Sequence, residues 1–211
     1  MTLLNVKTLF ALVALPSLMA AAPEPAARAL PAVPVTATAP ATYQIDPVHS
    51  ELSFRIRHLV GRVSGTFTEW GGTIVADPAN LSNGSVQVTV QMASIHTLNP
   101  QRDTHLKTPD FFAADSFPTM TFRSTRVVQN GERLQVHGDL TLRGRTRPVV
   151  LDGRYAGRVA KDPWGKERIA FTASTRIDRR EFGVAFNQML EGTAVVGDEV
   201  MIEIAVEAVK Q

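Results

Sequence analysis

Residues 85–92 read SVQVTVQM, a strict alternation of polar and apolar side chains. Successive side chains of a β-strand point to opposite faces, so this stretch predicts a strand with one apolar and one hydrated face. The same period of two recurs at 52–57, 169–177 and 202–207. Strands of this kind are typical of antiparallel sheets that cover a core on one side.

Residues that favour turns lie between these alternating runs. They are Gly71 with Gly72, Asn83 with Gly84, Asn130 with Gly131, Gly144, and Asp162 with Pro163. Their spacing predicts eight or nine strands and one or two short helices. Because closing such a sheet buries one face and removes exposed edges, we predict an all-β protein with a single antiparallel barrel. Two packed sheets are the alternative.

The first part of the chain differs in composition from the rest. Residues 1–22 contain one basic residue, Lys7, then an apolar run at 9–19 and three alanines, which is the pattern of a secretory signal peptide. The apolar run is short for a bilayer-spanning helix, so an uncleaved anchor is the alternative. Residues 23–42 are rich in Ala and Pro and predict a disordered linker. We therefore expect export to the periplasm or secretion.

Residues 43–211 are long enough to form one domain with its own core, and no further change of composition divides them. The chain has no cysteine, which excludes disulfides and thiol chemistry. Its 22 basic and 20 acidic residues nearly balance, so the sequence lacks the electrostatic pattern of a nucleic-acid-binding protein.

One long segment, 99–118 (NPQRDTHLKTPDFFAADSFP), breaks the alternation. A connection of about twenty residues is long for an antiparallel barrel. Asn99 favours the start of a helix and Pro109 its end, which predicts about two helical turns between them. Phe111 and Phe112 follow, and such aromatic content argues against mobility. We predict a packed lid over one end of the barrel.

The alternation and the lid together define candidate positions for contact with an apolar ligand. These positions are Phe54, Ile56, Val88, Val90, Leu106, Phe111, Phe112, Met120, Phe122, Leu140 and Phe171. For each of them, ordinary core packing is the alternative role.

Three polar side chains are candidates for contact with the polar end of such a ligand. They are His58, Arg102 and His105, whose imidazole and guanidinium groups donate hydrogen bonds to a carbonyl or phosphate oxygen. In the alternative, Arg102 and the adjacent Asp103 fix the helix, and His58 is a structural hydrogen-bonding residue.

Three arginines, Arg143, Arg145 and Arg147, cluster around Gly144. The cluster predicts a solvated hairpin tip, and transient contact with a membrane surface or an anionic head group is the alternative.

The sequence carries no pattern typical of catalysis or metal binding. Ser50 adjoins His49, but neighbours along a strand point to opposite faces and do not form a nucleophile and base pair. Residues 61–65 (GRVSG) lack the spacing of a nucleophile elbow. No pair of histidines has metal-ligand spacing. We expect no catalytic residue, no metal and no cofactor.

Seven short motifs resemble, in order, those of the YceI-like family. They are 46–50 (DPVHS), 54–58 (FRIRH), 102–106 (RDTHL), 110–112 (DFF), 117–122 (FPTMTF), 138–144 (GDLTLRG) and 180–184 (REFGV). The resemblance covers almost all of 43–210, although 185–197 (AFNQMLEGTAVVG) is less typical of the family.

The resemblance implies a lipocalin-like barrel, exported in many members, that holds a polyisoprenoid lipid in its interior. The implied ligand is a prenylated quinone or a polyprenyl phosphate, bound as cargo or reservoir without catalysis. Two other functions stay open: a stress-linked protein-interaction module that uses the barrel rim, and an enzyme that acts on isoprenoid lipids.

Overall fold

The computed structural model describes residues 39–211, so the predicted signal peptide and most of the predicted linker lie outside the described residues. The strands are β1 (Ala41–Ile45), β2 (Glu51–His58), β3 (Gly61–Phe67), β4 (Trp70–Asp77), β5 (Asn80–Gln91), β6 (Ile95–His96), β7 (Thr119–Asn130), β8 (Arg133–Leu142), β9 (Arg145–Val159), β10 (Arg168–Asp178), β11 (Met189–Leu190), β12 (Thr193–Ala194) and β13 (Val196–Lys210). One α-helix, α1 (Pro100–Lys107), and two 3-10 turns, Met92–Ser94 and Arg179–Phe182, complete this part of the chain. Within 39–211, no helix has the length and apolar character needed to cross a bilayer.

Eight antiparallel strands close into a barrel in the order β1-β4-β5-β7-β8-β9-β10-β13, and β13 pairs back with β1. At one end, β2 pairs with β13, β3 with β2 and β6 with β3, which extends the wall beyond β1 and β4. The short β11 and β12 form a separate hairpin. The predicted all-β antiparallel barrel with few helices is confirmed.

The period-two pattern sets which side chains enter the barrel. In β13, Ile202 and Ile204 pack against the core, whereas Glu203 between them forms an ion pair with Arg55 of β2 at 2.7 Å. The apolar face therefore lines the interior and the charged face meets solvent. β1 begins at Ala41, so the last two residues of the predicted linker belong to the sheet.

Two of the predicted turns were wrong, because the glycines concerned lie inside β4 and β5. A Cβ on Gly72 would lie 2.0 Å from the carbonyl oxygen of Gln87, and one on Gly84 would lie 2.9 Å from that of Val75. Glycine is required there by the close approach of two backbones, which sequence composition does not distinguish from a turn.

The remaining turn predictions agree with the structure. Gly131 and Gly144 lie between β7 and β8 and between β8 and β9, with φ values of +60° and +69°. Glycine adopts this left-handed conformation without the strain that a Cβ causes. Asp162 and Pro163 lie in the connection between β9 and β10.

The barrel end where β1 meets β13 is densely packed, and we call it the closed end. Tyr43, Ile169 and Ala208 are almost completely buried there. Around them, Arg168 donates hydrogen bonds of 2.7 Å to both Asp46 Oδ2 and Asp162 Oδ2. The bond from Arg168 is the main cause that lowers the pKa of Asp46 from 3.8 to about 2.

A second polar cluster at the closed end is centred on Glu167. It accepts hydrogen bonds from Arg158 Nη2 at 2.6 Å and from Tyr43 Oη at 2.5 Å. The bond from Arg158 is the largest cause that lowers the pKa of Glu167 from 4.5 to about 2. Burial, reinforced by Glu167, raises the pKa of Tyr43, so its hydroxyl stays a donor at neutral pH.

Candidate functional site

The opposite end, which we call the lid end, is covered by α1 and the turns that follow it. Asn99 caps the helix, because its side-chain oxygen accepts from the backbone N–H of Arg102 at 3.0 Å. The buried carboxylate of Asp103 accepts from the backbone N–H of Thr97 at 2.9 Å and from its hydroxyl at 2.5 Å. These contacts fasten α1 to the chain that leaves β6.

Arg102 takes part in the same attachment. Its Nε donates to the hydroxyl oxygen of Thr97 at 2.7 Å, and its Nη2 donates to the carbonyl oxygen of Thr97 at 2.6 Å. The hydrogen bonds of Arg102 therefore fix the helix, which is the alternative role that the sequence left open for this residue.

Arg143 secures the far side of the lid. Its Nη2 donates to the carbonyl oxygen of Pro109 at 2.7 Å, and its Nη1 donates to the carbonyl oxygen of Gly183. Arg143 is half-buried and joins three segments, so a solvated hairpin tip was the wrong prediction for it. Arg145 and Arg147 are exposed, as predicted.

Beneath the lid lies a cavity of about 290 Å³, the lid-end cavity. Nine of the predicted residues line it: Phe54, Ile56, His58, Arg102, His105, Leu106, Phe111, Phe112 and Met120. Most of the lining is apolar, and the side chains of Phe67 and Phe112 meet edge to face with ring centres 6.4 Å apart. The aromatic residues of the lid therefore pack on the barrel wall and roof the cavity.

A second cavity of about 140 Å³, the inner cavity, lies toward the closed end. Its lining includes the predicted residues Val88, Val90, Met120, Phe122, Leu140 and Phe171. Every predicted ligand-contact residue thus borders one of the two cavities. Their contact with a ligand stays a prediction.

Three residues, Leu52, Met120 and Ile202, line both cavities. They form the boundary between the two spaces. Methionine has three rotatable side-chain bonds and adapts readily to a neighbour. The two cavities adjoin at these residues, so together they offer space for one elongated apolar molecule.

The volumes limit the size of that molecule. A cavity of about 150 Å³ lined by apolar side chains holds one benzene ring, so the inner cavity accommodates roughly one five-carbon unit and the lid-end cavity roughly two. A longer hydrocarbon chain fits only if the lid moves or if part of that hydrocarbon extends out of the barrel.

His105 and two phenylalanines form an aromatic group at the rim of the lid-end cavity. The His105 ring centre lies 5.1 Å from that of Phe111 and 5.3 Å from that of Phe186, both edge to face. Its Nε2 lies 2.9 Å from Asp110 Oδ2. This hydrogen bond and these ring contacts hold the imidazole beside the cavity.

Arg179 is buried beside the same cavity and was not predicted from the sequence. Its guanidinium donates to the carbonyl oxygens of Gly197 at 2.8 Å, Val184 at 2.6 Å and Phe186 at 2.9 Å, and to Asp198 Oδ1 at 3.2 Å. Burial lowers its pKa below the ordinary value, although an arginine remains charged at neutral pH. Arg179 therefore shapes the irregular segment that borders the mouth.

Other lining residues were also not predicted from the sequence, and the reason differs from one residue to the next. Leu52 and Ile202 lie on apolar faces of alternating runs, so the pattern was sufficient to find them. Arg179 lies two positions after the inward-facing Ile177 and continues the same face. Phe186 lies in an irregular segment with no period, so its position depends on tertiary contacts alone.

The described part of the chain, 39–211, contains no group of three His, Cys, Asp or Glu side chains placed to hold a metal ion. The groups that line the cavities are mostly aromatic rings and aliphatic chains, and the polar groups at the lid end include the side chains of Arg102, Arg179, His58, His105 and Gln188. This arrangement favours the burial of hydrocarbon.

An eight-stranded antiparallel barrel with a lidded apolar interior defines the class of lipocalin-like barrels. The model of the YceI-like domain matches residues 43–208, and the chain belongs to the YceI-like family.

Similarity to individual proteins agrees with this assignment. Protein YceI of Shigella flexneri is 36% identical over 174 residues, which cover 81% of this chain and 88% of that protein. The crystal structure of Burkholderia cenocepacia BcnA matches with a TM-score of 0.69 at 25% identity and covers 77% of this chain and 98% of BcnA.

A more distant structure is a polyisoprenoid-binding domain from Saccharophagus degradans that is implicated in plant cell wall breakdown. It matches with a TM-score of 0.57 at 14% identity and covers 80% of this chain and 98% of that domain. At this identity the similarity shows the shared fold alone.

Proposed function

We propose that the chain is an exported carrier or sequestering protein that binds a polyisoprenoid lipid in the barrel interior without catalysis. The observation that carries the proposal is the pair of adjoining apolar cavities beneath an aromatic lid. A prenylated quinone and a polyprenyl phosphate are the ligand types that we propose. The polyisoprenoid-binding domain with the same fold supports this ligand class.

The energetics of burial are consistent with this ligand class. At about 0.8 kcal/mol for each buried methylene, one five-carbon unit contributes roughly 3 to 4 kcal/mol as an upper bound. Association costs several kcal/mol in lost freedom of motion, so two or three buried units are needed for useful affinity. The cavities have room for about that number.

The location of the protein is part of the proposal. The predicted signal peptide supports export to the periplasm or secretion, where a prenyl lipid is insoluble and needs a protein to shield its tail. The polar end of the lipid would remain at the lid end, close to His58 and His105, which line the lid-end cavity.

Ile56 allows a direct test, because it is half-buried in β2 and lines the lid-end cavity. In Ile56→Asp, a bound ligand covers the new carboxylate. The carboxylate then loses its contact with water and gains no partner in exchange. We expect the affinity for a prenyl alcohol to fall by roughly 100-fold or more. The measurement is a fluorescence titration of the purified protein in solution.

The matched control is Ser64→Asp, which adds the same charge to the exposed face of the neighbouring strand β3, opposite Arg55. This variant should bind like the native protein. Ile56→Trp fills the cavity without a charge and tests the site if Ile56→Asp does not fold. Unchanged binding by a folded Ile56 variant would show that the ligand binds elsewhere.

A further inference from the structure

Two hairpin tips at the lid end present apolar side chains to solvent. Val60, in the turn between β2 and β3, is completely exposed. Met189 and Leu190, which form β11, are 65% and 55% exposed. Isolated exposed apolar residues are common in soluble proteins, so the position of these three relative to each other is what requires an explanation.

The two tips lie side by side at the mouth of the lid-end cavity. The backbone N–H of Leu59 donates to the carbonyl oxygen of Val195 at 2.8 Å, and His58 pairs with Val196. The N–H of Val195 donates in turn to the carbonyl oxygen of Gln188 at 2.9 Å. His58, Gln188, Val195 and Val196 all line the cavity, and His58 and Gln188 are also exposed, so the cavity reaches the surface beside these tips.

A pair of arginines lies directly behind the Val60 tip. Arg57 and Arg62 are exposed partners on the adjacent strands β2 and β3, and neither forms an ion pair within residues 39–211. Like charges in directly opposite positions destabilise a sheet. Arg57 Nη1 donates to the carbonyl oxygen of Leu59 at 3.1 Å and its Nη2 to that of Ala194 at 3.5 Å, but these neutral acceptors do not cancel the charge. An anionic partner would therefore lower the cost of the pair.

The closed end provides a contrast within the same chain. Arg133 of β8 and Arg154 of β9 are also directly opposite each other. There, however, Glu132 accepts hydrogen bonds from Arg154 Nη2 at 2.5 Å and Nε at 3.1 Å. An intramolecular carboxylate compensates this second pair, whereas the pair at the lid end has none in the described part of the chain.

We propose that the lid end docks on the surface of an anionic lipid bilayer. Val60, Met189 and Leu190 enter the interfacial region, and Arg57 and Arg62 meet the phosphate groups. The Val60 tip, flanked by Arg57 and Arg62, has the combination of apolar and cationic side chains that binds such surfaces. The β11–β12 tip adds apolar area but also carries the exposed Glu191, so the two arginines supply the attraction to the anionic surface. The purpose of this contact rests on the proposed function, because a docked mouth lets a lipid tail enter the cavity without crossing water.

The absence of cysteine makes the orientation directly measurable. Single variants Val60→Cys and Leu190→Cys place an environment-sensitive fluorophore at the lid end. Trp164→Cys places it in the connection between β9 and β10 at the closed end, where Trp164 is 75% exposed. The probes are vesicles of phosphatidylcholine alone and vesicles of equal parts phosphatidylcholine and phosphatidylglycerol, all without prenyl lipid.

We expect a blue shift at positions 60 and 190, and not at 164, with the anionic vesicles only. All variants share residues 1–38, so any attachment through that region affects them equally. A shift at 164 equal to that at 60, or equal shifts with both kinds of vesicle, would overturn the proposal.

The charges are tested in the Val60→Cys background. Each arginine near an anionic surface increases affinity about fivefold, so Arg57→Gln together with Arg62→Gln should weaken vesicle binding roughly 30-fold. The matched control, Arg133→Gln with Arg154→Gln, removes the same charge at the closed end and should leave binding unchanged. An equal loss in both double variants would contradict docking through the lid end.

These outcomes are independent of ligand binding. The titration of Ile56→Asp takes place in solution without vesicles, and the docking experiment contains no prenyl lipid. Failure of docking with intact prenyl binding would reject the membrane surface and keep the carrier. The reverse result would reject the carrier and keep the surface.

Discussion

The two ends of the barrel are built from different interactions. At the closed end, Tyr43 and Ile169 are buried almost completely and Arg168 and Glu167 bind several neighbouring segments. At the lid end, a short helix covers a cavity of about 290 Å³ and is fastened largely through Thr97. The comparison shows that packed side chains fill one end while the other contains space beneath a lid.

This division has a physical reason. The lining of an empty cavity lacks the dispersion contacts that a packed core makes, so a barrel with cavities must gain stability elsewhere. Regions with fewer buried contacts also open at lower free energy than the core. A ligand-binding barrel therefore benefits from a lid that opens without unfolding the closed end.

Among substitutions that affect one end of the barrel and not the other, Asp103→Ala is expected to have the largest effect. This change leaves the N–H and hydroxyl of Thr97 without the carboxylate that they now bind. Loss of hydrogen bonds to a charged group destabilises a structure by roughly 2 to 3 kcal/mol, which corresponds to ligand release about 30- to 160-fold faster. Stopped-flow release of a bound prenyl ligand is the measurement.

Asp115→Ala is the control, because Asp115 is an exposed carboxylate in the segment that follows α1. It should release ligand at the native rate. Hydrogen exchange of Asp103→Ala should increase in α1 and remain slow in β10 and β13. Faster exchange in α1 with unchanged ligand release would show that the lid does not control access.

A smaller effect, on stability alone, is expected from Asp46→Asn combined with Glu167→Gln at the closed end. Both carboxyls have folded-state pKa values of about 2, below their ordinary values of 3.8 and 4.5. A carboxyl whose pKa is lower in the folded than in the unfolded state stabilises the fold at pH values above its ordinary pKa. This stabilisation is lost as the pH falls through the folded-state pKa.

The native protein should therefore lose this part of its stability between about pH 4.5 and pH 2, and the double variant should lack that dependence. Because the groups are partly screened by solvent, the contribution is roughly 1 kcal/mol for each carboxyl. Urea unfolding at several pH values measures it. Prenyl affinity at neutral pH should not change, and a large loss of affinity would contradict the separation of the two ends.

Those features of the two barrel ends that depend on local sequence pattern were predictable from the sequence. Alternation at 85–92 identified a barrel strand, and Asn99 with Pro109 located the helix of the lid within two residues at each end. The inward positions followed from the period of two, so part of the cavity lining was predicted from the sequence.

Features that depend on the approach of distant segments were not predictable in this way. Gly72 and Gly84 resemble turn residues in sequence, and only the neighbouring backbone shows why they lie in strands. The hydrogen bonds of Arg168 to Asp46 and of Arg143 to Pro109 join residues far apart in the chain. The division into two cavities depends on side-chain positions at Leu52 and Ile202 on different strands.

The most direct test of the proposed carrier is to identify what the barrel contains. The protein is purified in its folded state without detergent, extracted with organic solvent, and the extract is analysed by mass spectrometry beside that of Ile56→Asp. We predict a prenyl-tailed compound at about one molecule per chain in the native protein and much less in the variant. A folded native protein that yields no prenyl compound, or the same amount as the variant, would contradict the account.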